Sequence, residues 1–140
     1  MDRFATPPST KTVRNVVAAT VVLTLIHFTD NFVSIDTYPA ASWQPDWFEW
    51  VVLASWPLFT AIGVFAYRAY RDGDFHRAHP ALIAYSYTGL ISIGHFAYGS
   101  PADLTTRGLV SVTIDFIVGS VVLAVAIWSI TARRRLAQAA

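Results

Sequence analysis

Four mainly apolar stretches alternate along the chain with short polar segments rich in turn formers. They cover about 13–35, 48–70, 80–98 and 108–131. Each is close to the roughly 20 residues needed to cross bilayer hydrocarbon. The connecting segments run from Asp36 to Pro45, Arg71 to Pro80 and Gly99 to Arg107. Valine and isoleucine are abundant in the apolar runs and would favour strands in water, but the runs are too long for strands. In lipid the backbone must satisfy its own hydrogen bonds, so the runs predict helices.

Composition strengthens that reading. Of the 140 residues, 54% are hydrophobic and 14% are charged, and there is no cysteine. A soluble domain carries about 25% charged residues. A disordered chain and a disulfide-stapled secreted domain are excluded, and an ordinary soluble domain is not expected. The basic residues then set the orientation. Arg3, Lys11 and Arg14 precede the first run, Arg68, Arg71 and Arg77 lie between the second and third, and Arg133 to Arg135 follow the fourth. Only Arg107 falls on the other side. The positive-inside rule therefore predicts cytoplasmic N- and C-termini. The fold expected is all-α: one polytopic domain, a four-transmembrane-helix bundle in the cell membrane. A cleaved signal peptide is disfavoured, because the first apolar run is too long and no small-x-small site follows it before Asp30. Trp43, Trp47 and Trp50 fit an outer aromatic belt. Three arginines at the tail are too few to suggest nucleic acid.

Ionisable groups at membrane depth cost roughly 2.5–3.5 kcal/mol each on the insertion scale. This chain carries His27, Asp30, His95 and Asp115 there, with Asn31 beside them and Glu49 at the entrance to the second helix. Helix rise places all of them in the outer half of the membrane. At 100° per residue, Thr20, Thr24, His27, Asn31 and Ser34 share a face, with Asp30 at its edge. The third helix aligns Ala81, Ala84, Thr88, Ser92 and His95. The fourth aligns Gly108, Ser111, Asp115, Gly119 and Ala126, and the second aligns Glu49, Leu53, Trp56, Thr60, Gly63 and Tyr67. One ion pair would suffice to fix helix register, whereas four groups on three helices predict an outward-facing polar site. His76 and His79 fall in the loop before the third helix and are read as solvated.

Three function classes remain open. In the first, the pocket binds a small hydrophobic ligand and isomerises it by acid–base chemistry, with Asp30 or Asp115 facing His27 or His95. Asn31, Glu49, Trp50, Trp56, Thr88, Ser92, Tyr98 and Ser111 would then line it, and Trp50, Trp56, Tyr85 and Tyr98 could stabilise a developing cation. In the second, His27-x-x-Asp30 with His95 and Asp115 forms a nitrogen–oxygen metal set suited to Zn, Mn or Fe, or His27 and His95 ligate haem. The third class is a small accessory subunit of a membrane complex; a homo-oligomer also stays open. A conduit across the whole membrane is not expected, because the inner halves carry no ionisable relay.

The segments Pro45-Asp-Trp47-Phe48, Trp56-Pro57-Leu-Phe59 and Arg77-Ala-His-Pro80-Ala-Leu-Ile-Ala-Tyr85-Ser86 resemble the EXPERA family of emopamil-binding sterol isomerases and sigma-2 receptor-like proteins. The resemblance implies membrane helices around a pocket for sterol-like or cationic amphiphilic ligands. The family carries a glutamate within its second helix. Here that region reads Val51-Val-Leu-Ala-Ser55-Trp56, and the nearest acid is Glu49, so no catalytic assignment carries over. His27-Phe-Thr-Asp30-Asn31, Tyr38-Pro39 and Gly94-His95-Phe96-Ala-Tyr98 are also similar to an uncharacterised group of small bacterial four-helix membrane proteins, which implies an architecture and no activity.

Overall fold

In a computed structural model that describes residues 6–39, 44–45 and 47–139, the chain is all-α. Arg3, Trp43 and Asp46 lie outside the described residues. Helix α1 covers Thr10–Val33, α2 Phe48–Arg71, α3 Phe75–Leu90 and α4 Thr106–Ala139. Each packs against its neighbours in the chain, and α4 closes the ring on α1. Helices α1, α2 and α4 are long and apolar enough to cross a membrane. Trp47 and Trp50 are exposed near the start of α2.

Local chemistry explains where the helix ends depart from the apolar runs. Helix α1 begins at Thr10 because the Ser9 hydroxyl caps it, accepting from the Thr12 amide at 3.1 Å. Asp74 caps α3 in the same way through the Arg77 amide. Helix α4 continues to Ala139, beyond the apolar run, because Ala-Arg-Arg-Arg-Leu-Ala-Gln-Ala is made of strong helix formers. The third run departs most. Its α-geometry stops at Leu90, and Ile91–Ala97 wind as a 3₁₀ helix. Two β-branched residues and Gly94 weaken the α-helix there. Ser92 Oγ donates back to the Gly89 carbonyl at 2.5 Å and lies 3.3 Å from the Val112 carbonyl of α4.

The interior is layered. At the end carrying the termini, Val13, Val17, Ala66, Leu82, Tyr85 and Val122 lie in the main apolar core. At the opposite end Tyr38, Leu104 and Val112 form a smaller cluster. Between these clusters the buried residues turn polar: Thr24, His27, Asn31, Thr88, Ser92 and Asp115.

The terminal end is fastened by side chains. His79 is not solvated as expected. It sits half-buried on α3 with Nε2 2.9 Å from Ser129 Oγ. His76 is exposed. Ser129 lies 3.4 Å from the Tyr70 hydroxyl, which donates to the Pro8 carbonyl at 2.6 Å. Trp128 Nε1 donates to the Thr6 carbonyl at 2.8 Å. Tyr70→Phe is expected to lower stability by about 1 kcal/mol through loss of the buried bond to Pro8. Thermal melting in detergent checks it, and an unchanged midpoint would show the tether to be idle.

Candidate functional site

A cavity of about 370 Å³ opens at the polar layer, between α1, α2, the end of α3 and the 3₁₀ segment. Most of its wall is apolar. Phe28 and Ile35 contribute from the α1 side, Phe48, Val52 and Phe59 from α2, and Ile91 from the 3₁₀ segment. Polar atoms converge on one side. His27, Asn31 and His95 face it with Thr88 and Ser92, while Ser55 lies on the α2 wall.

The polar side is a connected network. Asn31 Nδ2 donates to His27 Nε2 at 2.9 Å and lies 3.4 Å from His95 Nε2. The two imidazole rings stand 5.9 Å apart, edge to face. On the other side of its ring, His27 Nδ1 is 3.0 Å from Ser111 Oγ of α4. Asp115, fully buried one turn further along α4, brings Oδ2 to 3.7 Å from His27 Nε2. Neither Asp115 oxygen has a hydrogen-bond partner among the described residues. Asn31 Oδ1 and Thr88 Oγ1, both on residues lining the cavity, are likewise buried without partners among the described residues.

Tyr38 closes the site. The chain turns back after α1 through a 3₁₀ turn, Ile35–Thr37, and buries the Tyr38 ring against His95 at 4.8 Å between centroids. The Tyr38 hydroxyl donates to Asp30, and Ser111 is also its hydrogen-bond partner. Burial and the Asp30 bond keep this hydroxyl above the usual phenol range, so it remains a donor. Asp30 is paired in turn with the exposed Arg107 guanidinium. A smaller pocket of about 190 Å³, lined by Asp30, Arg107, Ser111 and one side of His27, lies between α1 and α4.

The structure therefore divides the residues singled out from the sequence. His27, Asn31, Thr88, Ser92, His95 and Tyr98 line the main cavity. Ser111 and Asp115 stand behind His27, while Asp30 is drawn away by Tyr38 and Arg107. Glu49, Trp50 and Trp56 do not line it. Trp50 packs its ring on Phe32 at 5.0 Å, and Trp56 Nε1 donates to the Val21 carbonyl of α1 at 3.3 Å. The α2 face toward the cavity is Phe48, Val52, Ser55 and Phe59, one residue out of phase with the expected Glu49–Leu53–Trp56–Thr60 stripe. Spacing i, i+4, i+7, i+11 was the available signal. Tyr38 was missed because a lone loop tyrosine carries no periodic signal. On α3, Ala84 is exposed rather than interfacial.

The expected metal set is not gathered. Among the described residues, no three His, Asp or Glu side chains are placed to hold a metal ion. Asp30 is engaged elsewhere, and the Asn31 amide, not an open point, lies between the two histidine Nε2 atoms. Comparison with protein-family models, with curated proteins and with solved structures returned no significant match, so the site is interpreted from its own chemistry.

Proposed function

We propose that this is a four-span protein of the cell membrane, with cytoplasmic termini, that binds a small neutral hydrophobic ligand in its outer half. The third span would be α3 followed by the 3₁₀ segment. Sixteen α-helical residues rise about 24 Å and seven 3₁₀ residues about 14 Å, together enough to cross the hydrocarbon. Lys11, Arg14, Arg68, Arg71, Arg77 and Arg133 to Arg135 all fall at the end with the termini, which supports the orientation.

One observation carries the ligand reading: an apolar cavity with a single polar side, two of whose buried atoms have no partner. Ligand pockets are commonly built this way, from an apolar wall with a few placed polar groups. A ligand hydroxyl would donate to Asn31 Oδ1, or a ligand carbonyl would accept from the Thr88 hydroxyl, and the cavity wall would take an apolar skeleton. That description fits a sterol- or isoprenoid-like molecule. Among the described residues, the cavity lining carries no carboxylate. The α2 segment where the EXPERA resemblance implies a glutamate presents Val51, Val52 and Ser55 instead, which favours a neutral ligand over a cationic amphiphile. His27 and His95 give the site groups able to accept and return a proton. Isomerisation of an unsaturated ligand is the activity this reading extends to, as a step separate from binding.

The test is to purify the protein in mild detergent, identify co-purifying lipids by mass spectrometry, and measure metal content and visible absorption. A stoichiometric apolar alcohol or ketone, lost when Val52→Trp fills the cavity, is the expected result. A stoichiometric metal or a Soret band lost in His27→Ala would replace this reading with the metal or haem one. No retained compound, with Val52→Trp as stable as the parent, would leave the accessory-subunit reading in its place.

A further inference from the structure

Beyond the cavity, the polar side chains form one continuous line from the buried core to the aqueous face. We infer that this line is a one-sided proton path connecting Asp115 with the outer surface through His27, Ser111, Tyr38 and Asp30.

The donors along it all point the same way. Asn31 Nδ2–H donates to His27 Nε2, which leaves the imidazole proton on Nδ1 for donation to Ser111 Oγ at 3.0 Å. The Ser111 hydroxyl is placed beside Tyr38 to pass a proton on, and the Tyr38 hydroxyl donates to Asp30. Asp30 reaches solvent beside Arg107, whose side chain is 70% exposed. At the buried end, Asp115 Oδ2 lies 3.7 Å from His27 Nε2, a gap that a small rotation of the carboxyl or one bridging water closes. The charged and titratable groups around His27 and Asp115 are Asp30 on α1, Tyr38 after it, Tyr85 on α3, His95 on the 3₁₀ segment, and Arg107 and Asp115 on α4. The α2 wall of the cavity offers none.

One passage balances without a co-reactant. Asn31 releases His27 Nε2, and a proton on Asp115 moves to that nitrogen. The Nδ1 proton moves to Ser111, the Ser111 proton to Tyr38, and the Tyr38 proton to Asp30. Asp115 ends as carboxylate and Asp30 as acid. Ser111 and Tyr38 are unchanged, His27 becomes the Nε2–H tautomer, and no electrons are transferred. The reverse sequence restores the start. Toward the terminal end the ionisable group beside Asp115 is Tyr85, whose buried hydroxyl has no hydrogen-bond partner among the described residues and is set in the apolar core, so the line stops there. Thr20 and Ser86 there donate to backbone carbonyls of their own helices, at 2.9 and 2.7 Å. The path therefore exchanges protons with one side only. It would set the charge on Asp115, behind His27, by the outer pH.

The experiment is infrared spectroscopy of the protein in neutral phospholipid vesicles, with no ligand added. Asp115→Asn identifies the Asp115 carboxylic C=O band by removing it. Transfer into heavy water then gives the exchange rate from the isotope shift of that band. Tyr38→Phe keeps the ring against His95 and Ser111→Ala keeps the helix, so circular dichroism should match the parent. Each breaks one link and is expected to slow exchange at least about tenfold. Parental rates in both folded variants would overturn the path, and so would the lack of any Asp115 carboxylic band throughout an acid titration. Because no ligand takes part, an empty cavity with intact exchange would refute the binding proposal alone.

Discussion

Gly119→Val is expected to lower the stability of the bundle by about 3 kcal/mol, at the upper end of what overpacking costs. The position is one half of a backbone-to-backbone crossing between α3 and α4. A Cβ on Gly119 would fall 2.6 Å from the Leu90 nitrogen, 2.7 Å from the Ser86 oxygen and 2.9 Å from the Gly89 carbonyl carbon. A Cβ on Gly89 would meet the Asp115 carbonyl oxygen and, at 2.8 Å, the Gly119 nitrogen. These are main-chain atoms, so no side-chain rotation relieves the overlap and the helices must separate. Close approach of this kind is the usual use of small residues between membrane helices. Gly94→Ala is the control, because a Cβ there meets nothing within 4 Å, and its effect should stay within about 0.5 kcal/mol. Thermal unfolding in detergent compares the two. Equal midpoints for Gly119→Val and the parent would show that the crossing tolerates separation.

The same crossing sets the height of the polar site, since Thr88 adjoins Gly89 and Asp115 lies one turn from Gly119. This arrangement was legible on one helix and not on the other. Gly119 fell on the stripe with Asp115 because both obey the helical period. Gly89 lay beside the chosen α3 stripe and was passed over, since a period identifies a face but not which residue on it meets a partner backbone. On α1 the polar stripe Thr20, Thr24, His27 and Asn31 is buried as the spacing required. There, polar residues cannot face lipid, so period and burial coincide. On α2 that constraint fails. Its residues are apolar nearly all round, and the stripe built from Glu49 and Trp56 was displaced from the real one by a single residue, about 100° of rotation.

Where the helices end, local chemistry overrides hydropathy. An apolar run records only that a segment avoids water, so 80–98 read as one helix. The change to 3₁₀ at Ile91 depends on Ser92 competing for carbonyls of Gly89 and Val112, a contact that exists only once α4 is in place. The roles of Tyr38 and Arg107 at the site carry no sequence signal for a related reason. Their importance comes from Asp30, and the direction in which Asp30 points is decided by the turn after α1 and the start of α4, which share no sequence period.

Arg107→Gln should destabilise the protein by about 2 kcal/mol, and Asp30→Asn added to it should recover most of that loss. Asp30 is only 4% exposed, and its side-chain partners among the described residues are the Tyr38 hydroxyl and the Arg107 guanidinium. Removing the cation leaves a buried carboxylate with one donor. Breaking a fully buried pair from one side costs about 3–5 kcal/mol. The guanidinium here is 70% exposed, so solvent already screens part of the attraction and the smaller figure applies. Asp30→Asn alone should cost less than Arg107→Gln, because the amide oxygen still accepts from Tyr38 and the released arginine is solvated where it stands. The asymmetry identifies a charge retained for its position rather than its stability, as expected of a group that holds Tyr38 over the cavity. If the double variant is instead as unstable as the sum of the two single ones, Arg107 and Asp30 act independently, and Tyr38 is held in place by its packing on His95.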